Sequence, residues 1–268
     1  MIIIPDITNP FYTVFARGVQ DALRKQGYHT VLCNTDAIES EERDYLGEAI
    51  ARRLDGVIIG AFHVGHEALA PLSAAGIAVV SLGVGKVEGQ VDRVGFDQVA
   101  FARDAVEHLL DRVSGPIAFI DGDEGSPPSR ARRLGFLAAC ESRGRDFPPD
   151  YVVSADFTID GGAQGMAKLL DLDAPPRGVF CANDLIALGA MRVAKERGLR
   201  IPEDLAVIGC DDIDAAALVT PPLTTVRQDA DRLGRECGAM LLSRMSGAYQ
   251  GPGRSLILPH ELIVRGSA

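Results

Sequence analysis

Arg177-Gly-Val-Phe-Cys-Ala-Asn183-Asp184, followed by an apolar-periodic run to Gly198 and then Ile201-Pro-Glu-Asp-Leu-Ala-Val-Ile-Gly-Cys-Asp211-Asp212, decides the fold of this chain. The run 179–182 is short, apolar and bounded by turn formers, the pattern of a parallel strand buried on both faces. From Leu185 the apolar residues, Leu188 and Val193 among them, favour one helical face, and Gly198 ends the helix. Residues 206–210 form a second buried strand. Strand, helix, strand is one crossover of a parallel sheet. It sets Asn183 and Asp211 just past the carboxyl ends of their strands, where open α/β sheets bind ligands. Two readings stand side by side: short polar side chains offered to one ligand, or a helix cap at Asn183 and turn chemistry at Asp211 and Asp212.

The same alternation runs through most of the chain. Strands are expected over 2–5, 28–34, 55–60, 77–82 and 91–96, with helices over 10–26, 39–53, 67–75 and 98–112 between and after them. A second series opens with strands over 116–121 and 151–154 and helices over 129–143 and 160–170, and leads into the deciding stretch. Such regular alternation predicts an α/β fold of parallel sheets covered by helices on both faces. Two series predict two similar lobes, residues 1–113 with 228–248 and residues 114–227 with 249–268. The end departs from the pattern. Thr220-Pro-Pro-Leu-Thr-Thr-Val-Arg-Gln228 has prolines that forbid a central strand start, a helix follows over 229–245, and 255–264 closes as one or two strands.

Composition narrows the function. The chain has 268 residues, 47% hydrophobic and 24% charged, with a formal net charge of -10, and a pI of about 5.0. Binding nucleic acid needs clustered positive charge to displace counterions, so this stretch is a poor DNA or RNA binder by itself. No apolar run approaches the roughly 18 residues needed to span a bilayer. Met1-Ile-Ile-Ile-Pro5 has neither the basic nor the long apolar part of an export signal. Cys33, Cys140, Cys181, Cys210 and Cys237 are dispersed, odd in number and never spaced C-x-x-C, which favours a reducing, cytoplasmic setting.

Candidate binding residues gather at the predicted carboxyl ends of strands. Pro5-Asp-Ile-Thr-Asn-Pro10-Phe11-Tyr12 follows a strand and opens a helix; Phe11 and Tyr12 either present flat faces to a ligand or form the first core turn. Asp97, Arg132 with its neighbours Arg130 and Arg133, Phe157, Asn183, Asp211 and Gln228 occupy the corresponding end of later elements. Carbohydrate recognition needs this mixture, since Asp, Asn and Arg offer paired groups to adjacent hydroxyls while an aromatic ring covers the C–H face. For the arginine cluster the competing reading is a solvated basic face, and for Phe157 the core.

Enzyme signatures are mostly absent: there is no G-x-S-x-G elbow and no G-x-x-x-x-G-K-[ST] loop. The Gly83–Gly89 segment misses the G-x-G-x-x-G spacing and reads as a loop. His63 and His66 lack a third partner at metal-ligand spacing, and Asp121-Gly-Asp-Glu124 departs from a calcium loop. No catalytic residue, metal or cofactor is expected.

These residues together resemble a known family. Pro5-Asp-Ile-Thr-Asn-Pro-Phe-Tyr12, Leu54-Asp-Gly-Val-Ile-Ile59, Arg132-Arg-Leu-Gly-Phe136, Val179-Phe-Cys-Ala-Asn183-Asp184, Val207-Ile-Gly-Cys-Asp211-Asp212, Pro221-Pro-Leu-Thr-Thr-Val226 and Glu261-Leu-Ile-Val-Arg265 are similar, in order, to the effector-binding core of LacI/GalR transcription regulators. The resemblance covers Ile2 to Gly266. It implies a periplasmic-binding-protein-like type I fold, three chain crossings between the lobes, and a sugar or nucleoside in the cleft between them. It further implies that Phe11, Tyr12 and Asp97 line the cleft, Arg132 is the ligand-binding arginine, Phe157 stacks, Asn183 and Asp211 bind hydroxyls, and Gln228 lies at a crossing. Asp184 and Asp212 are left with capping and turn roles. Gln98 follows Asp97 where the family commonly has Asn. The implied partners are a small-molecule effector and a second copy of the chain in a homodimer, with first-lobe helices at the interface. Operator DNA is expected only through a helix-turn-helix domain that this sequence does not contain. Two other classes remain: a solute-binding protein of a sugar transporter, which shares the fold, and an α/β enzyme using Asp97 or Asp211 as a base.

Overall fold

The computed structural model describes residues 1–86, 89–145 and 148–268. The elements run β1 (Ile2–Ile4), α1 (Pro10–Arg24), β2 (Leu32–Asn34), α2 (Glu39–Ala51), β3 (Gly56–Ile59), α3 (His66–Ala74), β4 (Ala78–Leu82), β5 (Asp92–Phe96), α4 (Gln98–Arg112), β6 (Ile117–Asp121) and α5 (Pro127–Ser142). After one 3-10 turn at Pro149–Tyr151 come β7 (Val152–Ser154), α6 (Ile159–Leu170), β8 (Gly178–Cys181), α7 (Asp184–Glu196), β9 (Ala206–Asp211), α8 (Asp214–Leu218), β10 (Thr224–Arg227), α9 (Ala230–Met245), β11 (Ser255–Leu258) and β12 (Glu261–Ile263). Among the described residues no helix is long and apolar enough to cross a membrane.

These elements fall into two units, Met1–Phe96 with Asp229–Pro259 and Asp97–Gln228 with His260–Ala268. In the first, the sheet order is β11-β5-β4-β3-β1-β2, parallel throughout. In the second it is β12-β10-β9-β8-β6-β7, parallel except that β12 runs antiparallel to β10. The central strands are fully buried apolar runs, such as Val57-Ile-Ile59 and Ala118-Phe-Ile120, because helices cover both faces of a parallel sheet and leave no strand face to water.

The lobe boundaries expected from the sequence need correcting. Helix α4 belongs to the second unit, not the first. It packs on α5, where a Cβ on Gly135 would meet the Val99 carbonyl, and Leu109 lies against Gly178 of β8. Residues 249–259 belong to the first unit, because β11 extends that sheet beside β5, while β12 returns to the second. The strand–helix rhythm assigns a helix to the strand before it, but here the chain changes unit between β5 and α4. The strand expected over 28–34 shortens to β2, an edge strand preceded by exposed Val31. Helix α8 has no counterpart among the helices expected from the sequence.

Close helix packing relies on missing side chains at several positions. A Cβ on Gly234 of α9 would strike the Phe15 carbonyl of α1, and one on Gly189 of α7 would strike the Ile159 carbonyl of α6. Both contacts set helix backbone against helix backbone.

Asp92 fastens α9 and the segment before β11 to β5. Its side chain is fully buried and accepts from Arg244 Nε and Nη2 at 2.8 and 2.7 Å, from Arg254 Nη2 at 2.6 Å and from the Arg254 backbone N–H at 2.8 Å. The Tyr249 ring lies against both cations, with Arg254 Cζ 4.1 Å and Arg244 Cζ 5.0 Å from its centroid. Burial alone would raise this carboxyl, but the two arginines outweigh it and hold it below the usual carboxylate range. Removing one member of a buried charge cluster leaves the others uncompensated, at about 3–5 kcal/mol. Asp92→Ala is therefore expected to destabilise the first unit by about that much, seen as a lowered urea midpoint; a midpoint within error of the parent's would show that the cluster contributes nothing.

Candidate functional site

In the first unit the β1–α1 connection is built by local hydrogen bonds. Asn34 at the end of β2 accepts the Ile7 N–H at 2.7 Å, Asp6 accepts from Thr8, and Asn9 caps α1 by accepting the Phe11 N–H at 3.0 Å. The buried face of α1 is Phe15, Gly18, Val19 and Leu23. Phe11 and Tyr12 lie outside that buried set, half-buried, with their rings edge-to-face at 5.2 Å. Their alternative role as core residues is thus not what the helix uses them for. The following loop at the same sheet edge is held by Glu42, whose buried carboxylate accepts the backbone N–H groups of Phe62, His63 and Val64 at 2.8–3.0 Å. Nothing in the sequence signals that clamp. Val87 and Glu88 of the glycine-containing loop, and the side chain of His66, lie outside the described residues. Among the described residues no group of His, Cys, Asp and Glu is placed to hold a metal.

In the second unit the site centres on a turn. Asp211 ends β9 with φ 121°, and Asp212 follows with φ 59°. Positive φ at two successive non-glycine residues costs of order 1–3 kcal/mol each and persists only where the surroundings over-determine it. Here they do. Asp212 accepts from Arg227 Nε at 2.7 Å and from Arg265 Nη2 at 2.6 Å. Asp184, wholly buried, accepts the Ile213 N–H at 2.9 Å and the Thr225 hydroxyl at 2.6 Å. The turn role expected of Asp212 is what the structure shows. The capping role expected of Asp184 is not: Asn183 itself caps α7, accepting the Ile186 N–H at 2.8 Å, and Asp184 instead ties β10 and the turn after β9 to α7.

Asp211 is one end of a hydrogen-bonded chain. Arg132 donates from Nε to Gln98 Oε1 at 2.8 Å, Gln98 donates to Gln228 Oε1 at 2.9 Å, and Gln228 donates to Asp211 Oδ1 at 3.0 Å. Arg132 also donates from Nη1 to the Ala182 carbonyl, and its Cζ lies 5.3 Å from the centre of the Phe101 ring. No described residue donates to Asp211 Oδ2, and none accepts from Arg132 Nη2. Both side chains are buried, Asp211 at 9% exposure and Arg132 at 6%. The arginine cluster separates as its residues do on a helix: Arg132 turns inward, Arg130 is exposed, and Arg133 pairs with Asp121 and Glu124 at 2.9 and 3.1 Å.

Phe157 is half-buried and covers Gly122, where a Cβ would run into its ring. Asn183 Nδ2 donates to the Phe157 carbonyl at 3.3 Å, so the side chain that caps α7 also holds the Phe157 loop. Asp97 caps α4, accepting the Ala100 N–H at 2.9 Å. The second unit therefore brings Arg132, Asp211 and Gln228 into one network, places Asn183 beside Phe157, and gives Asp97 a capping task. Gln98, adjacent to Asp97, is the network member that the sequence does not single out.

The electrostatics follow from burial. Asp211 is pushed up to about 8 by desolvation, which outweighs the nearby Arg132 and is reinforced by Asp184. Asp184 is pushed up to about 6, again by desolvation first, against its hydrogen bonds from Thr225 and Ile213. The unfolded chain releases these protons near pH 4 whereas the folded chain keeps them, so their contribution to stability is complete at acid pH and fades as pH rises, to about 6 for Asp184 and about 8 for Asp211. Asp211→Asn removes the second part of that loss. The unfolding midpoint of the variant is expected to gain on the parent's steadily between pH 5 and pH 8; a constant gap would mean that Asp211 titrates normally.

Comparison with known proteins agrees with this architecture. The family described as "Periplasmic binding protein-like domain" matches residues 95–268. The HTH-type transcriptional repressor CytR of Escherichia coli (strain K12) is 33% identical over 267 residues, covering 100% of this chain and 78% of the repressor. A structure described as transcriptional regulator CelR–cellobiose complex superposes with a TM-score of 0.89 at 32% identity, covering 100% of this chain and 83% of that one. A LacI family transcriptional regulator from Enterococcus faecium, with bound ribose, gives 0.87 at 35% identity over 99% of this chain and 97% of that one. These relatives are transcriptional regulators, which sets aside the transporter reading. With its two parallel-sheet units and full-length similarity to repressors, the chain belongs to the LacI family and comprises the periplasmic-binding-protein-like effector-binding core of such a regulator.

Proposed function

We propose that this chain senses a sugar or a sugar-bearing molecule such as a nucleoside, and that ligand occupancy sets the operator affinity of the regulator. The observation that carries this is the pair of buried, half-used ionisable groups in the second unit. Asp211 Oδ2 has no donor and Arg132 Nη2 no acceptor among the described residues, although each is nearly inaccessible. An unpaired buried polar group costs about 1–3 kcal/mol, so such a pair is retained where a ligand completes it. A hydroxyl hydrogen-bonded to Asp211 and an oxygen accepting from Arg132 is the pattern a sugar presents, and Phe157 offers a ring face for its C–H side. Asn183 contributes through its remaining amide hydrogen and by holding Phe157, Asp97 through its carboxylate at the α4 cap, and Gln228 by orienting Asp211. Phe11 and Tyr12 are proposed as aromatic contacts at the carboxyl edge of the first sheet. The role proposed for this set is binding without turnover.

The bound sugars of the two relatives, cellobiose and ribose, support the effector class. A ligand moves a conformational equilibrium only by its differential affinity for the two states, and coupling of about 1–3 kcal/mol is enough to change operator occupancy several-fold or more. Homodimerisation doubles the contacts with a two-fold operator. Exposed Val14 on α1 and Ile50 on α2 in the first unit, and Leu218 of α8 at 81% exposure in the second, are apolar surface a second copy would cover. A cytoplasmic location goes with five free, buried cysteines.

Two measurements test this reading. A thermal-shift screen of mono- and disaccharides and nucleosides should find a ligand that stabilises the chain by about 2.7 kcal/mol at 100 times its dissociation constant. Asp211→Asn should lose that shift while unfolding cooperatively, and an undiminished shift in the variant would remove Asp211 from the site. In sedimentation velocity at micromolar concentration the chain should run as a dimer, and a single monomer boundary would count against the assembly.

A further inference from the structure

The chain Arg132–Gln98–Gln228–Asp211 has a direction, and each member inherits it from the last. Arginine has no acceptor, so the atom of Gln98 facing Arg132 Nε must be its oxygen. That leaves the Gln98 amide nitrogen for Gln228, whose oxygen must then face Gln98 and whose nitrogen must face Asp211. Each amide is fixed by the one before it. Reversing Gln228 alone would set oxygen against oxygen 3.0 Å apart at Asp211 and nitrogen against nitrogen 2.9 Å apart at Gln98. Water has little room to repair this, because Gln228 is 3% exposed. The Gln228 nitrogen also lies 3.1 Å from Cys210 Sγ, a thiol that burial holds in its neutral form.

We propose that Gln98 is a positioning residue of the ligand site: acting through Gln228, it passes the donor-only character of Arg132 to Asp211 and so fixes which oxygen of Asp211 is left for the ligand. Gln228 occupies Oδ1. Oδ2 is thereby the oxygen left open, and the site selects a ligand whose polar group meets that atom. The groups acting on Asp211 are Arg132, Asp184, Cys210 and Gln228, and Gln98 touches it only through the last. The ligand part of this proposal rests on the function proposed above, whereas the relay itself does not.

A double-substitution cycle without ligand separates the two. Gln98→Glu keeps an acceptor for Arg132 but has no donor for Gln228, which must then reverse and present oxygen to Asp211. At pH 9, where Asp211 is ionised and has no proton to offer a reversed Gln228, the unfolding midpoint of this variant is expected to fall. Asp211→Asn supplies an amide N–H to the reversed Gln228, so the double variant should recover more than half of that loss, although residues 98 and 211 share no hydrogen bond. In a Gln228→Leu background the same two substitutions should be additive. Additivity with Gln228 present, or equal coupling without it, overturns the relay. Direct repulsion between the two acids would survive in the leucine background, so charge alone cannot mimic the result.

A second measurement stands if Gln98→Glu fails to fold. In Gln98→Leu the 13C-carboxyl titration of Asp211, assigned by its disappearance in Asp211→Asn, should move up by about one pH unit or more, a roughly tenfold change in the protonation equilibrium. An unmoved midpoint overturns the proposal. With D-ribose and cellobiose as probes, the parent should bind at least one, and Gln98→Leu should weaken it by about tenfold, 1.4 kcal/mol. A parent that binds neither sugar argues against the proposed effector class, while the relay still stands or falls on the substitution cycle.

Discussion

The left-handed turn at Asp211–Asp212 is the constraint on which the rest of the second unit depends. Two successive positive-φ aspartates are unfavourable by themselves, and the neighbouring elements are arranged to hold them. Arg227 of β10 and Arg265 beyond β12 grip Asp212. Asp184 at the start of α7 reaches the Ile213 amide on the far side of the turn. The antiparallel return of β12 against β10 brings Arg265 to Asp212. Strand order, the last strand's direction and the acid on α7 all serve one backbone kink, which sets the Asp211 side chain beside Gln228.

That kink also explains a carboxylate kept where it is energetically awkward. Asp211 is buried, near another buried acid, and accepts from one amide nitrogen and a thiol. An asparagine there would have no charge to desolvate. The carboxyl offers what an amide lacks, a second oxygen on the same rigid group, which no described residue engages.

Much of this is legible in the chain. The deciding stretch yields β8, α7 and β9 in the order expected because buried parallel strands leave continuous apolar runs and helices leave a periodic face. Arg132 is separable from Arg130 and Arg133 only through the family resemblance, as all three are equally basic. What is not legible is long-range. Nothing in the spacing says that Gln98 Oε1 will meet Arg132, or that α4 leaves the unit of the strand before it. Asn183 illustrates the limit most directly. In the sequence, capping and site-building are alternatives, yet the side chain caps with its oxygen and holds Phe157 with its nitrogen. One amide has two ends, and a sequence shows neither.

The three places where the chain passes from one unit to the other converge on Arg132. After the first passage, Phe96 to Asp97, comes Gln98, which accepts from Arg132. Before the second, Gln228 to Asp229, stands Gln228, which accepts from Gln98 and donates to Asp211. After the third, Pro259 to His260, His260 bonds Asp104 of α4 at 2.9 Å and sets its ring 5.9 Å from Phe101, the same ring that Arg132 overlies. A buried guanidinium is thus in contact, directly or through one residue, with every passage. Small changes in packed surroundings are resolved by switching between discrete arrangements, because close-packed interiors do not deform continuously. Any change at Arg132 is therefore felt beside all three connections at once.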